Sequence, residues 1–295
     1  MSKYLPYILL FSSNLIFAIN FTAAKKVMHL YIEPMAFIGM RVVAAAFLFW
    51  IYSFLKPQEK IQKSDWWRLL ACAIFGVALN QMLFFKGLDW TSPINASLIM
   101  TITPITVVIV SAILLREKVT FIQLLGIIMG CIGAIGIILY GKEIHFSVQS
   151  RWGDVLVLIN AASYGLYLVI VKPLLKKYES TTVLKWIFLL GIPMVVPFGY
   201  EGFGLINWAS LPMYIIGIIA YVLVFVTFLA YLFNGIALQK INSTVVSSYI
   251  YLQPILATII ATTFNNETIS WQKLVAGLCI FVGVYLVSKP TIAKS

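Results

Sequence analysis

The sequence predicts an all-α integral membrane protein of ten transmembrane helices arranged as two inverted five-helix repeats. Three observations predict it. The 295 residues are 61% hydrophobic and 11% charged, with a mean hydropathy of +0.97, far from the balance of a soluble domain. The apolar residues fall in runs of about 20, the length a helix needs to cross ~30 Å of hydrocarbon. Finally, "TPITVVIVSAILLREKV" from Thr103 is echoed by "QPILATIIATTFNNETI" from Gln253, so that Pro104 and Glu117 are matched by Pro254 and Glu267 at a shift of 150 residues.

Runs bounded by charges, prolines and tryptophans give spans at 4–24, 35–55, 66–86, 93–115, 119–140, 153–172, 182–200, 211–238, 243–264 and 271–288. The first continues through Asn14 and Asn20 instead of stopping like a signal-peptide core, so it is expected to be retained. The second carries Arg41 and nears its end at Trp50; the third opens on Trp66 and Trp67. The fourth holds Pro104, and the fifth a glycine series at Gly126, Gly130, Gly133 and Gly136. The sixth follows Trp152, the eighth follows Trp208, the ninth holds Pro254 and the tenth opens on Trp271. Tryptophan at span ends is the expected interfacial pattern.

The second half repeats the first beyond the opening motif. "NFTAAKKVMHLYIEP" from Asn20 lies against "YLVIVKPLLKKYEST" from Tyr167 at a shift of 147, matching Lys25 to Lys172. "FFKGL" from Phe84 lies against "LFNGI" at 148, and Gly133 matches Gly283 at 150. Two repeats, 1–148 and 149–295, each hold five spans, and an odd number sends the second copy into the membrane from the opposite side. With both termini cytoplasmic, 13 of the 21 Lys and Arg residues fall on the cytoplasmic face and six on the other, which favours that orientation in the cytoplasmic membrane.

Several functions are disfavoured. The basic residues are spread over short loops, giving no surface for nucleic acid, and anionic lipid headgroups are the expected counter-charges. Cys72, Cys131 and Cys279 sit singly in apolar runs, and no His, Cys or carboxylate cluster lies within a span, so neither metal nor cofactor is expected. No H-E-x-x-H, G-x-S-x-G or G-x-x-x-x-G-K-[ST] motif supports an enzyme or a nucleotide-driven pump.

The pieces "NFTAAKK", "FIGMR", "FGVALNQMLFFKGLDWTSPINASLI" and "TPITVVIVSAILLREKVTFIQLLGIIMGCIGAIGIIL" together resemble the EamA-type members of the drug/metabolite transporter superfamily, over nearly the whole chain. The resemblance implies a central cavity lined mainly by spans 1 to 4 and 6 to 9, alternating access, and a broad substrate range in which export predominates. The sequence departs from its own repeat at Phe188, where Arg41 would have its counterpart.

Pro104 and Pro254 each remove a helical donor at mid-span, freeing the carbonyls of Met100 and Ile250 and marking spans 4 and 9 as kinked helices that face either a cavity or a neighbour. Glu117 and Glu267 lie about 20 Å further on, where water can solvate them. Arg41, six residues inside its span, needs an anion, which Asp89 or a substrate carboxylate could supply, unless the side chain snorkels. Polar residues inside spans must face the bundle, where each either bonds across helices or meets a ligand. Asn160, Ser163, Ser247 and Gln253 belong to this set. The candidate substrate contacts are Asn14, Asn20, Arg41, Asn80, Gln81, Phe84, Asn95, Tyr164, Tyr167 and Tyr251. Amides beside aromatic rings suit a small amphipathic organic molecule. The expected function is secondary active export of such metabolites, for example amino acids. The alternatives are export of cationic drugs, or uptake or exchange of nucleotide-like metabolites. The glycines of spans 5 and 10 can pack within one chain or between two, leaving monomer and homodimer open.

Overall fold

The computed structural model describes residues 4–115, 120–140, 148–265 and 271–287. The pairs Glu117 and Glu267, Arg116 and Lys118, together with His145, lie outside the described residues. Each predicted run becomes a helix: α1 Leu5–Leu30, α2 Pro34–Ser53, α3 Lys63–Trp90, α4 Pro93–Leu114 and α5 Phe121–Tyr140, then α6 Gln149–Lys177, α7 Ser180–Gly204, α8 Met213–Lys240, α9 Ser243–Phe264 and α10 Trp271–Val287. Eight are long and apolar enough to cross a membrane, while α5 and α10 carry the shorter apolar stretches Leu124–Gly133 and Leu274–Gly283. The chain is therefore a multi-pass membrane protein. Large apolar side chains such as Phe47, Ile113, Leu278 and Tyr285 point outward, as lipid rewards.

The helix starts follow from local chemistry. Pro34 and Pro93 occupy the first turns of α2 and α4, where a missing N–H costs nothing. Ser92 caps α4 by accepting from the Asn95 backbone N–H at 3.1 Å. Helices then pair closely: α2 against α7, α3 against α6, α5 against α10, and α1 against α8 and α9. Where there is no hydrophobic drive between lipid-bathed helices, small residues set how closely they approach. A Cβ built on Gly283 of α10 would lie 2.6 Å from the Gly126 carbonyl oxygen of α5, so this glycine surface is used within the chain.

Two kinds of departure from α geometry recur as matched pairs in the two halves. Ile74–Ala78 in α3 and Val222–Leu229 in α8 are π-helical, and their starts are 148 residues apart. In α4 the α-helical ladder is interrupted at residues 101–102, and in α9 a 3₁₀ turn occupies Tyr249–Tyr251, in each case just before the mid-span proline. Proline explains the second pair, because it can neither donate to nor fit over the preceding turn. The freed Met100 carbonyl does not wait for cavity water: Thr103 Oγ1 donates to it at 2.8 Å. The helical ladder is thus interrupted just before each of the two prolines, with the Met100 carbonyl satisfied by the chain itself.

A further pair ties each half together. Lys25 Nζ, at the end of α1, donates to the carbonyls of Leu88 (3.1 Å) and Thr91 at the C-terminal end of α3. Lys172 Nζ, near the end of α6, donates to those of Leu238 and, at 2.5 Å, Ile241 at the C-terminal end of α8. A cation on otherwise orphaned terminal carbonyls satisfies both the hydrogen bonds and the helix dipole. The lysines aligned in sequence therefore do the same work in space.

Candidate functional site: a polar and aromatic cavity within the bundle

The matched helices surround a cavity of ≈ 70 Å³, room for about five waters. Its wall takes Asn14, Phe17, Asn20 and Phe21 from α1, Arg41 from α2, Asn80, Gln81, Phe84 and Phe85 from α3, and Met100 from α4. The second half supplies Asn160, Tyr164 and Leu168 from α6, Val226, Tyr231 and Asn234 from α8, and Val246, Ile250 and Gln253 from α9. Helices α5, α7 and α10 contribute no lining residue among those described. In α7 the position matching Arg41 is Phe188, which packs against Phe49 and edge-on to Tyr231 at 5.1 Å.

Much of the polar wall is bonded across the two halves. Gln253 Nε2 donates to Asn14 Oδ1 at 2.7 Å. Ser13 Oγ donates to Asn234 Oδ1 at 2.8 Å, and Asn234 Nδ2 donates to the Tyr164 hydroxyl at 3.2 Å. Asn160 Nδ2 donates to the Asn80 carbonyl at 2.5 Å, and Tyr231 Oη donates to Asn80 Oδ1 at 3.3 Å. Such bonds fix amide orientation in a low-dielectric site, where unmade bonds are costly.

Not every group is satisfied. Asn20 Oδ1, Asn160 Oδ1 and Arg41 Nη1 are buried without a partner, and the Gln81 amide lies beside Tyr231 without a hydrogen bond of good geometry. All four residues line the cavity. Buried orphans are rare in folded proteins, and a cluster of them around a space marks groups waiting for a ligand or water. Acceptors and donors are both present, so the site offers partners to cationic and anionic ends of one molecule, with phenylalanine faces between.

Among the described residues, Arg41 is the one charged side chain in the wall. It is 2% exposed. Its Nε donates to Thr227 Oγ1 at 2.9 Å, Thr227 in turn donates to the Val222 carbonyl at 2.9 Å, and the guanidinium carbon lies 4.0 Å above the Phe85 ring. The bond to Val222 spans five residues and belongs to the π segment of α8. Asp89 is not the counter-ion: among the described residues Arg41 makes no ion pair. The sequence offered Asp89 from topology alone, whereas the side chain turns inward to a hydroxyl and a ring. Lys185, a basic residue of the seventh predicted span, does not line the cavity, reaching Gln58 Oε1 at 3.1 Å with Nζ 4.9 Å from the Trp50 ring.

Of the residues singled out from sequence, Asn14, Asn20, Arg41, Asn80, Gln81, Phe84 and Tyr164 line the cavity, and Asn95, Tyr167 and Tyr251 do not. Asn95 Nδ2 is turned to the Asp154 carboxylate at 3.3 Å. Tyr167 is buried under the π segment of α3, where the Gly76 Cα has no side chain to exclude its ring. Tyr251 lies against Phe281 of α10, with ring centroids 6.1 Å apart. Tyr231 and Asn234 escaped the sequence reading. Asn234 had a visible signal, being the single asparagine of an otherwise apolar run, whereas Tyr231 had none.

Comparison with known proteins identifies the family. The sequence profile of the EamA-like transporter family matches twice, over residues 5–139 and again over 151–289. An "Uncharacterized transporter" of Archaeoglobus fulgidus is 27% identical over 82% of this chain and 81% of its own. The "Uncharacterized transporter YyaM" of Bacillus subtilis is 24% identical over 96% of this chain and 93% of its own. A "Probable terminal-alkyne amino-acid exporter" of Streptantibioticus cattleyicolor is 25% identical over 76% and 73%. One solved crystal structure superposes with a TM-score of 0.64 at 15% identity, covering 95% of this chain and 98% of the other, a likeness of fold alone. With both halves matched, the chain belongs to the EamA-like transporter family.

Proposed function

We propose that the protein is a secondary active transporter that exports small amphipathic metabolites, amino acids foremost, by alternating access. The reading takes the ten helices as two inverted repeats, 1–148 and 149–295, in the cytoplasmic membrane with both termini cytoplasmic, and one repeat rocking against the other around the cavity. The observation that carries it is the cavity itself: unpartnered donors and acceptors from α1, α2, α3 and α6, set among aromatic rings where the halves meet. A carboxylate would meet Arg41 Nη1, an ammonium would meet Asn20 Oδ1 and Asn160 Oδ1, and an apolar side chain would lie against Phe17, Phe21 and Phe84. The amino-acid exporter among its relatives supports the same substrate class and direction.

Proteoliposome transport of a panel of amino acids, organic anions and quaternary-ammonium compounds tests the reading. Amino acids and carboxylates should move, and Asn20→Ala should weaken that movement. Efficient transport of quaternary-ammonium compounds with none of amino acids or anions would overturn it. Inversion is tested separately by single cysteines introduced beside Lys25 and Lys172, which should react from opposite sides of the membrane.

A further inference from the structure

Arg41 poses a problem for any cycle in which the cavity closes empty. Its guanidinium is buried, one N–H meets a hydroxyl, its face meets a benzene ring, and Nη1 meets nothing. A hydroxyl and a ring can orient the cation but do not neutralise it. Water filling the cavity that Arg41 lines would screen the charge. When both mouths close, water is squeezed from ≈ 70 Å³ of space, and a charge without a counter-ion in low dielectric is strongly disfavoured.

We propose that Arg41 makes the carrier an exchanger: the empty cavity cannot pass through the closed state, and the carboxylate of a bound solute supplies the missing anion. This rests on the transporter reading above and adds to it the coupling mode. Net outward movement of one solute then requires return with another anion. The position matching Arg41 in the second half is the uncharged Phe188, and among the described residues no other charged side chain lines the cavity, so the lock has a single element. It also explains why Thr227 is built as it is: its hydroxyl hydrogen is committed to Val222, leaving an oxygen that holds Arg41 in place without discharging it.

The test follows the empty carrier directly. In a background with Cys72, Cys131 and Cys279 replaced by Ala, Val246→Cys puts a thiol in the cavity wall. The protein is reconstituted in both orientations in sealed liposomes, in carboxylate-free buffer, and treated from outside with a membrane-impermeant maleimide. Labelling should stall while lumen-facing cavities stay shut away from the reagent. Arg41→Gln should let labelling run to completion, with the slow phase accelerated about tenfold or more, and Arg41→Lys, which keeps the charge, should still stall. If Arg41→Gln does not fold, Arg41→Met, which retains the packing on Phe85, takes its place. Complete labelling of the Arg41 protein at the rate of the neutral variant would overturn the inference. The substrate reading fails on a different result: a stall relieved by the neutral variant, but no stabilisation of the purified protein by any carboxylate or amino acid of the panel.

Discussion

Tyr164 and Tyr167 stack at 5.9 Å with their planes 25° apart, one turn from each other on α6, yet only Tyr164 touches the cavity. The pair separates a cavity-lining ring from a packed one within a single turn. Tyr164 Oη closes the Ser13–Asn234 chain across the halves. Tyr164→Phe should therefore lower substrate affinity by about tenfold, one charge-free hydrogen bond's worth, while thermal unfolding in detergent changes little. Tyr167→Ala should do the reverse, costing about 3–5 kcal/mol of stability by emptying the space under Gly76. Transport and unfolding measured on the same two variants check both.

The α5–α10 contact depends on missing side chains. Gly283→Ala would place a methyl group 2.6 Å from a backbone oxygen that cannot move aside, and should destabilise by about 1–3 kcal/mol. Gly217→Ala, on a helix position with nothing within 4 Å, should be neutral or stabilise by up to about 1 kcal/mol through helix propensity. Comparison of their unfolding midpoints decides whether close approach, rather than glycine content, matters.

Asp65 holds the first turn of α3 to the second half. It accepts from Lys177 Nζ at 3.0 Å and from the Tyr178 hydroxyl at 2.9 Å. Asp65→Asn should cost about 1–3 kcal/mol, because a buried acceptor set is broken. Lys177→Met, removing the half-exposed partner, should cost less than ~1 kcal/mol. A double-mutant cycle by chemical denaturation would show whether the hydroxyl, and not the ion pair, carries most of the effect.

Lys25→Met and Lys172→Met are expected to slow transport without changing selectivity, since each lysine braces a helix end and is not among the residues lining the cavity. Unequal effects on selectivity would show that one of them reaches the solute. Substrate competition curves for the two variants provide the measurement.

The helices were legible because membrane spans announce themselves through length and hydropathy, and the repeat was legible because Pro104 and Pro254 recur at a fixed spacing. The α-helical ladder is interrupted just before each proline, at residues 101–102 and at Tyr249–Tyr251. The amides of α1 and α3 were legible for the same reason: a buried Asn in lipid must turn inward. What sequence could not show was which inward-facing groups meet space and which meet one another. Tyr167 and Tyr164 have identical chemistry, and Gly76, a residue in another helix, separates their fates. Asn95 looked like its fellow amides until the carboxylate of Asp154 took its hydrogen. Partner choice for Arg41 was equally hidden, since a threonine hydroxyl 186 residues away carries no charge signature.

The π segment of α3 has one more consequence. An α-helix advances about 100° per residue, and a π turn accommodates one extra residue without unwinding the strands of hydrogen bonds on either side. Ile74–Ala78 is thus a phase shift inserted between the membrane-end half of α3 and the half that bears Asn80, Gln81, Phe84 and Phe85. Deleting a single residue there, Phe75 for example, would leave composition and hydropathy almost untouched. It would also close the turn to α geometry with the four cavity side chains still on their face, whereas winding every residue of α3 as regular α-helix would rotate them by roughly 100° about the axis, turning amides toward lipid. The angular setting of the site is kept by one surplus residue in each half, and a helical wheel drawn straight through α3 or α8 points to the wrong face.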